Sequence, residues 1–180
     1  FIERLRKAVG EADMIINAST VASSSQDAVS RVTDGFQELV GRTYNSLSLL
    51  GGRVYPEQQV AVVVKNEPGL VDTSTISSLT TPAGEMESWI LQQRQRGEQV
   101  TVKKIVDRFE TKPYGWDIGS IEVVLGWLVG NGKILLSVDA NQVARTEAAS
   151  LIRNTAKHAH LVVAPQKAYD QTKVSAFRRF

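Results

Sequence analysis

The sequence predicts an α+β chain that is mostly helical: a helical pair followed by a winged-helix-like domain with a short β-hairpin. Three observations carry this. Apolar residues recur at spacings of three and four through the first fifty positions. Beyond residue 82 the order of patterns is helix, short strand, helix, turn, helix, hairpin. The segments rich in β-branched or aliphatic residues are brief: QVAVVVK at 59–65, KILLSV at 133–138 and HLVVA at 160–164.

Taken in order, Ile2, Leu5, Val9, Ala12 and Ile16 fall on one helical face. The stretch NASTVASSS, rich in small residues whose hydroxyls compete for backbone hydrogen bonds, breaks that helix. A longer helix follows. Val29, Val32, Phe36, Leu39, Val40, Thr43, Leu47 and Leu50 make a stripe suited to an antiparallel pairing with the first helix, and Gly51-Gly52 ends it. QVAVVVK reads as a buried strand closing a first segment, 1–65. Residues 66–82 hold seven Ser or Thr, two Pro and no apolar period, so they read as a surface linker and the main domain boundary.

The second half opens with Thr81 as a cap and Pro82 at the first helical position, with Met86, Trp89, Ile90 and Gln93 facing inward. Around Val100 the chain extends, then Val102, Ile105, Val106 and Phe109 mark a second helix. TKPYGWD stops it, because Pro113 cannot continue a helix interior. A third helix spans about 117–129 with Ile118, Ile121, Leu125, Leu128 and Val129 as its core stripe. Gly130-Asn131-Gly132 turns into the KILLSV strand, and Asp139-Ala140-Asn141 turns again. This assigns 83–144 to the winged-helix-like domain and 145–180 to a helix, a short strand and a last helical pattern that stops in mid-course at Phe180.

Composition narrows the class. Twenty-one Lys and Arg face 19 Asp and Glu, a net charge of +2, with 42% apolar residues. The charge is split: residues 1–90 carry 7 basic and 11 acidic side chains, residues 91–180 carry 14 and 8. The absence of Cys removes disulfide scaffolds, thiol catalysis and cysteine-based zinc sites. No apolar run approaches the ~20 residues of a membrane span, and the charged start is not a signal peptide. A cytoplasmic protein without membrane contact is expected. The first residue is Phe rather than Met, so an internal slice of a longer chain is expected.

The segment TKPYGWDIGSIEVVLGWLVGNGKILLSVD, with its K-P-Y-G-W string, short helix and G-K strand, resembles the large P-loop ATPases of the bacteriophage exclusion (BREX) systems, of the BrxC/PglY type. ELVGRTYNSLSLL at 38–50 resembles a Tyr and Leu signature of that family, and AFRRF at 176–180 the start of another family helix. The resemblance covers about residues 30–180 and is strongest at 101–138. It implies a parent that binds ATP and magnesium. This stretch departs from that pattern at the decisive point: it lacks a G-x-x-x-x-G-K-[ST] loop, and GNGKI has no hydroxyl after Lys133 and precedes a strand. No cofactor is therefore expected here.

Two candidate surfaces follow. A winged helix that reads DNA lays its third helix in the major groove. Opposite the core stripe, that helix carries Gly119, Ser120, Val123, Gly126, Trp127 and Gly130, with no Arg, Lys, Asn or Gln to meet base edges. Val123, Gly126 and Trp127 are accordingly the candidate protein interface, toward other domains of the parent chain or other defence-system proteins. The alternative is DNA binding through phosphate contacts from Lys103, Lys104, Arg108, Lys112 and Lys133. Asp107 and Glu110 interrupt that set, which favours an ordinary solvated helix face. His158 and His160 lack further ligands and read as surface or helix-end histidines. Tyr114 and Trp116 read as caps on the core. No nucleophile–base set or other catalytic motif is present, so the region is expected to be non-catalytic.

Overall fold

The computed structural model describes residues 1–67 and 73–166. Two parts differ in how they are held.

The first part is residues 1–43. Helix α1 (Ile2–Glu11) leads into a two-stranded hairpin, β1 (Met14–Ile16) with β2 (Ser19–Val21), and then helix α2 (Ala28–Thr43). Asn17 and Ala18 both take positive φ at the hairpin turn. Ile16 is therefore in a strand, not on the first helix as its spacing suggests. Asp27 caps α2 by accepting a hydrogen bond from the Ser30 amide. Arg31 ties the hairpin region together, donating from Nε to the Val9 carbonyl at 3.0 Å and from Nη2 to the Ala12 carbonyl. Neither α1 nor α2 contains a buried residue.

The second part is a single core. After a 3-10 turn (Leu47–Leu50), residues 59–65 form helix α3 (Gln59–Lys65), where the sequence suggests a strand. Val60, Val63 and Val64 are spaced as one helical face and all three are buried, so packing overrides their β preference. Helix α4 (Thr73–Gln95) corrects a second expectation. Residues 73–82 are helical rather than a linker, and Pro82 lies inside the helix instead of starting it. The helix runs on through Pro82 because Leu79, Ala83, Met86 and Ile90 are all fixed in the core. Residues 68–72 of the expected linker, and the last helical pattern from Asp170, lie outside the described residues.

Strand β3 (Val100–Thr101), helix α5 (Val102–Glu110), helix α6 (Ile118–Gly130) and strand β4 (Ile134–Val138) follow the expected order. Thr101 and Asp117 cap the two helices through their side chains. Asp139 and Ala140, both at positive φ, turn β4 into β5 (Asn141–Gln142). Helix α7 (Arg145–Ile152) and a 3-10 turn (Thr155–Lys157) then lead to strand β6 (Val162–Pro165). Strand β6 pairs antiparallel with both β3 and β4, giving the order β3-β6-β4-β5. Residues 145–165 thus complete the winged-helix sheet and do not form a separate region: Ala148, Ile152, Leu161 and Val163 share the core with α4, α5 and α6. No described helix is long and apolar enough to cross a membrane.

Candidate functional site

The third helix of the motif, α6, is the place to look for recognition. Eleven of its thirteen positions, between Gly119 and Gly130, are buried, and only Ile118, at 41% exposure, and Trp127 reach the surface to any extent. Ile118 is thus not the core residue its spacing suggests. The small face opposite the core stripe is covered from within the chain. A Cβ at Gly126 would stand 3.1–3.3 Å from methyls of Val60, Val63 and Val64, and one at Gly130 would collide with the Val63 carbonyl. These two glycines let α3 lie directly on α6. At the start of α6, the Tyr55 amide donates to Ser120 Oγ at 3.1 Å, and Ser120 donates to Asp117 Oδ2. Asn66 closes the other end, donating from Nδ2 to the Gly130 carbonyl.

Val123 and Gly126 are accordingly buried against the chain's own elements and do not form an open docking face; Trp127 is partly buried and packed on the core. The apolar chemistry of the face is met by α3, which shares one core with α6 and is not part of a separate segment.

A polar pair lies inside this packing. Glu122, in the middle of α6, is buried, and its Oε2 has no hydrogen-bond partner. His158, 4% exposed, comes from the turn after α7 and places Nε2 at 3.8 Å from Glu122 Oε1. The same nitrogen is 2.5 Å from the Ile152 carbonyl, an acceptor only, so it carries a hydrogen. His158 is a core residue and not the surface histidine expected. Burial, and the negative charge of Glu57, push the Glu122 carboxyl up to about 7, while Arg153 pulls it the other way. Glu57, ahead of α3, and Arg153, at the end of α7, form a 2.8 Å ion pair that ties the two covering elements together. The signal for this pair was a lone acidic residue within the apolar run IEVVLGWLV.

The basic candidates are not gathered into one free patch. Lys103 Nζ lies 3.2 Å from Asp107, Lys104 Nζ 3.2 Å from Glu98, and Lys133 Nζ 3.7 Å from Glu87. Arg108 packs over the Tyr114 ring, with Cζ 5.1 Å from its centroid. Lys112 is exposed beside the turn. Such surface pairs add little stability, yet they cancel the field a phosphate would feel. Trp116 and Tyr114 are buried with Phe109 in a ring cluster, Trp116 stacking on Phe109 at 4.8 Å. Tyr114 donates to Glu85 and Trp116 Nε1 donates to the Ser46 carbonyl, so their polar edges are bonded inside the fold. Burial and the Glu85 contact hold the Tyr114 hydroxyl above its ordinary range. At GNGKI, the glycines end a helix and lead into β4, with Lys133 turned to Glu87, so a nucleotide phosphate has no helix N-terminus to sit on. Among the described residues, no group of three acidic or His side chains could hold a metal.

These elements define a winged helix-turn-helix domain whose recognition helix is enclosed by α3 and α7. Residues 70–163 match the winged helix-turn-helix domain of the BREX ATP-binding protein BrxC, a span of more than half the chain. The chain belongs to this BREX BrxC family. No solved structure matches it.

Proposed function

We propose that this region is a non-catalytic interaction and coupling part of a larger anti-phage defence ATPase. It contacts neighbouring domains of its own parent chain and other defence-system proteins, and works in the cytoplasm without a cofactor of its own. In this reading the winged helix transmits nucleotide-driven change through packed protein contacts, and ATP and magnesium act elsewhere in the parent. The observation that supports this best is the cover on α6: the face a DNA reader would present is filled by Val60, Val63 and Val64. The ion pairs on Lys103, Lys104 and Lys133 agree with it.

Titrating labelled duplex DNA with the chain across a salt series tests the reading against DNA binding. No saturable binding at moderate salt is expected. Saturable binding whose salt slope falls on combining Lys103→Ala with Lys104→Ala would establish the DNA reading instead.

A further inference from the structure

Among the described residues, α2 carries a long uncovered apolar face. Val29, Val32, Phe36, Leu39 and Val40 lie on one face of this helix, about a third of its circumference at 100° per residue. All are exposed, Val29 at 69% and Phe36 at 63%. Beside them Ile15 of β1 is 67% exposed. The stripe is flanked on one side by a groove of about 850 Å3, where Phe36 and Val40 meet Tyr44 and Leu47, and on the other by a smaller one against Met14 and Ile16. The charged residues of the helix, Arg31, Asp34, Glu38 and Arg42, all project from the opposite side by the same angular arithmetic. All four are already engaged within the chain: Arg31 with Val9 and Ala12, Asp34 with Ser23, and Arg42 with Glu38.

We propose that this face binds a second copy of the same chain, with two α2 helices packed antiparallel about a two-fold axis at Phe36. The spacing is its own complement. Phe36 sits at the midpoint of α2 (Ala28–Thr43), Val32 and Val40 stand four residues either side, and Val29 and Thr43 stand seven either side. Antiparallel pairing therefore sets Phe36 against its equivalent, Val32 against Val40 and Val29 against Thr43, the isologous pattern of a two-fold dimer. With no charge on the stripe, the same face neither repels itself nor offers a charged partner any complement. The area is within reach. Scaled down from the ~150–250 Å2 of a fully exposed aromatic side chain to the smaller Val, Leu and Ile, the exposed fractions of the stripe and Ile15 leave on the order of 400 Å2 of apolar surface per copy. Two copies, with the groove residues Tyr44 and Leu47 added, approach the ~1,000 Å2 of a specific interface. This dimer does not depend on the coupling role proposed above, and the DNA titration does not report on it.

The chain has no Cys, so single introduced cysteines report position cleanly. In sedimentation velocity over a concentration series, the 180-residue chain is expected to form a dimer, and Phe36→Glu to weaken it at least tenfold. Under mild oxidation Phe36→Cys should cross-link to a dimer while Gly84→Cys, on exposed α4 surface, should not. Circular dichroism checks that each variant keeps its fold; should Phe36→Glu lose it, Val29→Glu replaces it. A chain that stays monomeric at 100-fold concentration excess over the lowest point, a dimer unaffected by the charge, or equal cross-linking at both positions would overturn the proposal.

Discussion

Helices α2 and α6 have opposite fates. Helix α2 is strongly amphipathic, with a clean apolar stripe, and has no buried residue. Helix α6 is apolar nearly all round, shows almost no amphipathic contrast, and is buried on all sides. An apolar stripe reports that a partner is wanted; it does not say that the partner lies in the same chain. An all-round apolar helix reports that every face has a partner, here α3, α4, α5 and α7. In a winged helix, the second pattern already argues against a helix held out to DNA.

The contrast can be broken most forcefully at Gly130. Gly130→Ala sets a methyl against the Val63 backbone, so α3 must lift from α6. The expected loss is about 3 kcal/mol in urea unfolding, at the upper end of what overpacking a core costs and beyond the ~1 kcal/mol by which Ala favours a helix. A gain in stability would show that α3 does not rest on this helix.

The next effect is a gain. In the folded chain Glu122 keeps its proton to about pH 7, whereas the unfolded carboxyl releases it near 4.5. The folded state therefore holds the extra proton between these values, and stability falls as pH rises through them. Above pH 7 the cost is fully present, on the order of 3 kcal/mol from a shift of this size. Glu122→Gln, neutral at every pH, should be more stable than the parent above pH 7 by up to that amount and match it below about pH 4.5. Equal stability of the two proteins at pH 8 would mean the carboxyl is not desolvated.

A milder test trims the cover itself. Val63→Ala removes two buried methyls at the α3–α6 contact and should cost about 2 kcal/mol. The smallest effect belongs to α2: Phe36→Ala, measured at high dilution, should change stability by less than about 0.5 kcal/mol because the residue is 63% exposed. A loss of the Val63 size at Phe36 would erase the distinction between the two helices.

The winged-helix half was readable because its elements carry local marks. Thr101 and Asp117 are side-chain caps, Pro113 and Gly115 sit in the break between α5 and α6, and Val102, Ile105, Val106 and Phe109 keep a helical period. Helix α3 was not readable in the same way. Seven residues rich in Val have the composition of a strand, and the three-four spacing of Val60, Val63 and Val64 was the weaker signal. The glycines at 119, 126 and 130 asked for a close neighbour without naming it. Pro82 misled because a proline usually begins or ends a helix; here the buried residues on both sides hold α4 continuous. The pairing of β6 with β3 and β4 is a long-range contact, so HLVVA carries no local mark of the sheet it completes. Of the candidate site, the chemistry of the small apolar face was legible, but its occupant and the Glu122–His158 pair needed the tertiary fold.

Hydrogen exchange of backbone amides, read segment by segment, tests the enclosure of α6 most directly. If α3 and α7 are integral to the core, amides of α3, α6 and α7 should share one high level of protection and open together, while α2 exchanges faster. Opening of α3 at low cost while α6 stays protected would contradict this. Helix α3 would then be a detachable cover, and the recognition face would be available after all.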